Sequence, residues 1–423
     1  SFFWLFSLDL KSSNKITQSI ILNWIENNQN YNPKNWEIDT LSKRIISWLS
    51  NSKLSYENSD QIYKEQFNKN IKKQINHLIN EISRSSLVDD KMIGCSAIIL
   101  TGLSFKDEKN LNYGLNLLKK IINSSFDSEG FPKSRNIRQL IFYLKYFILI
   151  REWLKESQNE IPEYLNEIIF YLGQNYNFIW QNTNQNLLFN GNQINQNNDF
   201  DRYLSFHNYK FKNESNEYGG YVILKNKNVI LSADLGSSPE KKFSNDYQSG
   251  ALSFEIFFNN CKLISNCGYF QNYKHQLNSI SKSTAAHSTM ILDNRSSCKL
   301  KKDSDGIFKV DQELKILKKS VTFEKKYWNI SGSHDGYLKK YGVIHERKIE
   351  FFIEKNKFIG TDKLIKKKKF KSSNFEIRFH FEPGVKITKT QDEKSILVEL
   401  ENSGWKFSCK DHKIDVETGL YFG

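Results

Sequence analysis

A guanidinium and an amide stand side by side at Arg135-Asn136, just ahead of a stretch that reads as helix, with Arg138 following and Tyr143 about two turns onward. Arginine grips a carboxylate through two parallel N–H groups and asparagine donates through its amide, so the pair can neutralise an acid group. The plainer alternative is that Asn136 caps a helix starting at Ile137 while Arg135 makes a loop contact. There are eight histidines. His334 precedes the turn dipeptide Asp335-Gly336, which predicts a ring at a loop edge, placed either to exchange protons in a cleft or to bond turn backbone. His345 and His380 sit in runs of alternating polarity that suit satisfied strand residues, and His345 is also a substrate-binding candidate. Tyr247 supplies a phenol, which acts as an acid or, with its pKa lowered, as a base, the plainer alternative being an ordinary packing role.

The elements that must position these groups differ between the two halves of the chain. From about Ile16 to Gly173 apolar residues recur at helical spacing, as at Leu41, Ile45, Ile46, Leu49 and at Leu140, Leu144, Phe147, Ile148. Breaks at Asn32-Pro33, Asp89-Asp90 and Asp127 to Pro132 divide this half into roughly seven helices, whose serial hairpins suit an (α/α) toroid or a bundle. Residues Gln181 to Asn198 are mostly Asn and Gln, a linker composition. After Tyr218-Gly219-Gly220 the chain turns to short β-rich runs: Tyr221 to Leu224, Leu252 to Phe258, His345 to Ile353 and Phe375 to Phe381. The expected organisation is a helical domain over 1–180, a linker over 181–215 and an antiparallel β-sandwich over 216–423.

Composition bounds the partners. The 423 residues suffice for two cores, and 39% hydrophobic content argues for folding. Sixty-one basic against 47 acidic side chains give a net charge of +14 and an isoelectric point near 9.2, which favours an acidic polymer. The excess is spread along the whole chain, however, and runs such as Lys366 to Lys369 suit solvated turns. Charge alone therefore does not indicate nucleic acid, because no aromatic-basic recognition motif accompanies it. The five cysteines are too scattered for a zinc knuckle, and an odd number cannot pair completely; Cys261 and Cys267 read as buried thiols along one strand. No apolar run is long enough to cross a bilayer. The opening SFFWLFSLDL lacks a basic region and cleavage site and reads as mid-protein, so further helices are expected ahead of it. Phosphate-binding glycine loops, a dinucleotide fingerprint, a nucleophile elbow and HExxH are absent from the sequence.

Two segments, GALSFEIFFNNCKLISNCGYF (Gly250 to Phe270) and STAAHSTMILDN (Ser283 to Asn294), resemble the C-terminal signature of heparinase II/III-like proteins. SHDGY (Ser333 to Tyr337), VIHERKI (Val343 to Ile349) and IRFHFEPGVK (Ile377 to Lys386) are similar to an alphaproteobacterial branch of that family, as are NPKNWEIDTLSKRIISWL (Asn32 to Leu49) and FPKSRN (Phe131 to Asn136). The resemblance implies a toroid followed by a sandwich and β-elimination on an acidic polysaccharide in the cleft between them. That chemistry needs a group to hold the uronate carboxylate, a base for the adjacent proton and an acid for the departing oxygen. The resemblance places Asp246 and Gln248 where family lyases carry His-x-His, and Asn266 and His287 at the other two positions of a structural zinc site. Only His287 keeps a ligand type, so Gln248, Asn266 and His287 are expected to hold one another by hydrogen bonds without metal. The family's Tyr-His pair on the helical side is replaced by Ser134 to Gln139.

These readings give Asn136, Tyr143, Tyr247 and His334 as catalytic candidates and Arg135, Arg138, Gln248 and His345 as substrate-binding candidates. No cofactor is expected. The expected function is a polysaccharide lyase acting on a uronate-containing glycan in the periplasm or cytoplasm of a bacterium. The alternative is a glycan-binding or envelope structural protein that keeps the scaffold and has lost the chemistry.

Overall fold

The computed structural model describes residues 2–8, 13–193, 198–368, 373–400 and 403–423. Part of the Asn/Gln-rich segment, at 194–197, and Lys369 lie outside the described residues. The chain divides into two compact units. One comprises Ser1–Phe126 and Phe142–Phe170, the other Asp127–Ile141 and Tyr171–Gly423.

The first unit is helical. Its elements are α1 (Asn14–Asn27), α2 (Pro33–Trp36), α3 (Ile38–Ser50), α4 (Ser52–Ser55), α5 (Gln61–Glu81), α6 (Val88–Phe105), α7 (Glu108–Ser125), the larger part of α8 (Arg138–Glu156) and the start of α9 (Glu163–Tyr176). Their starts are chemically encoded. Asp60 accepts from the Tyr63 amide at 2.7 Å, Asp107 from Asn110 at 3.1 Å, and Asn32 from Lys34 at 3.0 Å ahead of Pro33. The expected break at Asp89-Asp90 is instead the first turn of α6, where two carboxylates meet the positive end of the helix. Helix α6 is buried all round from Met92 to Leu100, which explains its weak periodicity.

The second unit carries the strands. Six form one antiparallel sheet in the order β1 (Glu217–Tyr218), β2 (Tyr221–Lys225), β3 (Val229–Asp234), β4 (Phe254–Phe258), β5 (Cys261–Ser265) and β14 (His380–Phe381). Four more run β12 (Lys357–Lys366), β11 (Val343–Phe352), β10 (Tyr327–His334) and β9 (Ile316–Phe323). A third sheet holds β15 (Lys386–Lys389), β16 (Ser395–Leu400) and β17 (Ser403–Ser408), while β6 (Met290–Leu292) pairs β13 (Phe375–Ile377) and β7 (Lys299–Lys302) pairs β8 (Phe308–Gln312). The alternation along β11 is visible in burial, every second residue being fully covered. Val222, Leu231 and Ile256 of the first sheet meet Trp328 and Ile349 of the second and Val398 of the third in one core. Helices α10 (Asn198–Phe206), α11 (Gln276–Ser281) and α12 (Leu338–Tyr341) complete this unit.

Three connections of the second unit matter most. Segment 127–141 is tied by Asp127, which accepts from Glu129 and Phe131 amides at 2.9 and 2.8 Å. The segment read as linker buries Leu187, Leu188 and Phe189, because its apolar triplet outweighs the polar residues around it. Leu252, expected to open a strand, has φ +62° and turns the chain into β4; its amide donates to the Asp234 carbonyl at 2.8 Å.

Candidate active site

The backbone of Arg135 takes φ +60°, an unusual conformation for a residue with a side chain, and its amide donates to the Pro132 carbonyl at 2.8 Å. This turn drives the guanidinium inward. There Nη2 donates to Oδ1 of Asp234 at 2.7 Å, Nε to the Gly219 carbonyl at 3.0 Å and Nη1 to the Ser237 carbonyl at 3.3 Å, with Cζ 4.6 Å from the centre of the Tyr221 ring. Asp234, at the end of β3, also accepts from the Gly236 amide at 3.0 Å and from Nδ2 of Asn190 at 3.1 Å. Asn190 donates to the Tyr221 hydroxyl at 2.6 Å, and that hydroxyl donates to the Arg135 carbonyl at 2.7 Å, closing a ring of polar contacts. The close approach requires glycine at 236, since a Cβ there would lie 2.1 Å from Cζ of Arg135. Arg135 and Asp234 are nearly covered, at 9% and 2% side-chain exposure, so this guanidinium is a structural cation held by its own chain.

Its neighbour behaves differently. Oδ1 of Asn136 accepts from the Arg138 amide at 2.9 Å, capping α8, while Nδ2 donates to Oδ2 of Asp246 at 2.8 Å. The other oxygen of Asp246 accepts from the Tyr269 hydroxyl at 2.9 Å, and Nδ2 of Asn278 donates to the same hydroxyl at 3.2 Å. Asp246 is half-buried. Burial first, and then the adjacent carboxylate charge of Asp246, push the Tyr269 phenol up while Arg138 opposes them, so Tyr269 stays a protonated donor beside an acceptor. Lys282 underlies the loop, donating to the Asn245 carbonyl and, at 2.9 Å, to the Phe308 carbonyl; burial lowers its pKa to about 8.

The other sequence candidates lie elsewhere. Tyr143 is in the helical unit and donates to Oδ1 of Asp89 at 2.8 Å. Tyr247, next to Asp246 in sequence, points the other way: it is 1% exposed among Ala251, Cys298, Val310 and Leu314, its hydroxyl has no hydrogen-bond partner, and burial raises its pKa well above the ordinary value. His334 is not at a loop edge, because it ends β10 as a fully buried ring. Its Nδ1 accepts from the Gly336 amide at 3.1 Å, which leaves the proton on Nε2, facing Nδ1 of His345 at 3.2 Å. Nε2 of His345 is then the donor to Oδ1 of Asp362 at 2.6 Å, and Arg347 pairs both oxygens of Asp362 at 2.8 and 3.0 Å. Burial holds both histidines below their ordinary pKa, so this chain of contacts is neutral at its histidine end.

Gln248, Asn266 and His287 do not bond one another as expected, because the backbone satisfies the amides first. Gln248 accepts from the Gly191 amide at 3.0 Å and donates to the carbonyls of Gly268 and Ser281 at 3.0 and 2.6 Å. Asn266 accepts from the Ser288 amide at 2.9 Å and donates to Glu255 at 3.2 Å. Only Nε2 of His287 is left without a partner, and one imidazole with two saturated amides does not fit zinc. Among the described residues no group of three or more His, Cys, Asp or Glu side chains could hold a metal ion.

Residues 212–423 match the family model for the heparinase II/III-like C-terminal domain. The chain belongs to the heparinase II/III-like family. The fold of this heparinase II/III-like chain is similar to the crystal structure of heparinase III, at TM-score 0.70 and 15% identity over 91% of this chain and 64% of that one. It is also similar to the heparan sulfate lyase HepC from Pedobacter heparinus, at TM-score 0.65 and 14% identity over 94% and 65%. The chain thus spans slightly less than two thirds of the length of these structures, and likeness at such identity is a likeness of fold. No curated protein matches its sequence. In the sequence of this heparinase II/III-like chain Asn136 stands out by its amide, Tyr269 does not stand out, and Asp246 shows only as a departure from the family pattern. The available signal was their position: Asp246 falls on the first histidine of the family motif, and Tyr269 lies inside the segment that carries the resemblance.

Proposed function

We propose that the chain belongs to a polysaccharide lyase that cleaves an acidic, uronate-containing glycan by β-elimination, with Asn136, Asp246 and Tyr269 at the reacting centre. The supporting observation is that the Asn136 amide and the Tyr269 hydroxyl converge on the two oxygens of one half-buried carboxylate. In this reading the second proton on Nδ2 of Asn136 meets the substrate carboxylate and stabilises it as it gains enolate character. Asp246 takes the proton on the carbon beside that carboxylate, the released electron pair forms the carbon–carbon double bond, and the glycosidic oxygen departs with the Tyr269 proton. The hydrogen bond between Tyr269 and Asp246 then returns the proton and restores both groups. The helical unit is read here as part of an (α/α) toroid and the sheets around the common core as a β-sandwich.

The test is to incubate the protein with heparan sulfate, chondroitin, hyaluronan and alginate while following the ultraviolet absorbance of unsaturated uronate. Absorbance should rise with one of them, and Asp246→Asn and Tyr269→Phe should each slow the rise by roughly 10²–10⁴-fold. A second reading, a glycan-binding protein without turnover, is favoured by one observation: the candidate cation Arg135 and the candidate imidazoles of His334 and His345 are all engaged within the protein. Binding of a glycan with no rise in absorbance would select it.

A further inference from the structure

A concave site lies in the strand-bearing unit, and its lining does not include Asn136, Asp246 or Tyr269. It is a pocket of about 590 Å³ whose lining includes Lys282, Arg295, Lys299, Lys339 and Lys340 against one carboxylate, that of Glu313. Of these cations, Lys299 is paired with Asp311 at 2.6 Å and Lys340 lies 5.1 Å from the centre of the Tyr341 ring. Arg295 and Lys339 are exposed, and among the described residues no carboxylate pairs with either. Lys282 at the base is fully buried and donates to two neutral carbonyls; among the described residues it has no ion pair, and the carboxylates of Asp246 and Asp303 act on it from further off.

The pocket is built as well as charged. Asp293 and Asn294 take successive left-handed conformations, φ +46° and +55°, in the tight turn that sets Arg295 at the rim, where its amide donates to the Leu292 carbonyl at 2.9 Å. Tyr337 forms part of the wall and is fixed by its hydroxyl, which donates to the Met290 carbonyl at 2.9 Å. With Lys299 neutralised by Asp311, the remaining cations still outnumber Glu313, and the recess has a positive potential that low-dielectric walls concentrate.

We propose that this pocket is a subsite for a sulfate or carboxylate group on an acidic glycan, gripped by Arg295 and Lys339 over the charge of Lys282. The choice of a glycan as the bearer of the anion rests on the lyase reading. Lys282 also holds the carbonyl of Asn245, the residue before Asp246, so the pocket and the reacting loop share one side chain.

The experiment is calorimetric titration of the whole protein with two probes of equal length, a heparan-sulfate oligosaccharide and an unsulfated alginate oligosaccharide. Arg295→Ala/Lys339→Ala should weaken binding by about tenfold or more, with the thermal unfolding curve unchanged. Loss with the heparan probe alone identifies sulfate as the group held; loss with both identifies carboxylate. Lys227→Ala/Lys406→Ala changes two exposed lysines outside the pocket and should leave binding as it is. Equal weakening by this control, or unchanged affinity in the pocket variant, overturns the proposal. The titration needs no turnover, so loss at the pocket with no lyase activity removes the reaction reading alone.

Discussion

Asp234→Ala tests whether Arg135 is structural or faces substrate. The carboxylate accepts from Arg135, Gly236 and Asn190, and its removal leaves a buried guanidinium with two carbonyl acceptors and the Tyr221 ring. Breaking one partner out of a buried ion pair costs about 3–5 kcal/mol, because the remaining charge stays desolvated. For folded units of this size about 2 °C accompanies each kcal/mol, so the melting transition should fall by roughly 6–10 °C. Circular dichroism at neutral pH follows it, and Arg135→Met together with Arg135→Met/Asp234→Ala completes the cycle. The double variant should lose clearly less than the two single variants together, since no charge is then stranded. A transition within about 1 °C of the parent for Asp234→Ala, or additive losses, would refute the argument and return Arg135 to the substrate-binding role.

Three further outcomes follow from the same geometry. Tyr247→Phe removes a buried hydroxyl that has no partner, so stability should hold or rise by up to about 1 kcal/mol and any turnover should persist; a hundredfold loss of rate would place this phenol in the chemistry after all. Gly191→Ala sets a Cβ 2.5 Å from the Asn136 amide at φ +76°, and should cost about 1–3 kcal/mol and cut turnover at least tenfold, whereas Gly360→Ala, with open space around it, should unfold within about 0.5 kcal/mol of the parent. Burial lowers the pKa of His287 from 6.5 to about 4. The unfolded chain therefore binds the proton that the folded chain refuses: stability is full above about 6.5 and drains away as pH falls towards 4. His334, His345 and His380 act in the same direction, so His287→Gln should flatten only part of the slope in pH-dependent denaturation, and an unchanged slope would show that His287 is protonated in the fold.

The sequence was legible where local period and burial agree. The alternation through His345 to Ile353 marks β11, and Leu41, Ile45 and Ile46 mark the inner face of α3. It was less legible where a few apolar residues sit in polar surroundings, as at Leu187 to Phe189, or where one residue changes the backbone hand, as at Leu252. The site was legible one residue at a time. Asn136 could be chosen for its amide, yet its partner is 110 positions away, and the partner of Arg135 is 99 positions away. Nothing in the local pattern says that Arg135 finds a carboxylate within its own chain, or that Tyr247 and Asp246, adjacent in sequence, face opposite surroundings.

Segment 127–141 interrupts the helical run in sequence, yet it belongs to the unit that holds the strands. Arg135 and Asn136 therefore travel in the gene with helices, while Asp234 and Asp246 travel with the sheets. Recombination between two diverged relatives anywhere from 142 to 233 would join one parent's guanidinium and amide to the other parent's carboxylates. Chimeras cut there would need both ends to match for Arg135 and Asn136 to keep their carboxylate partners.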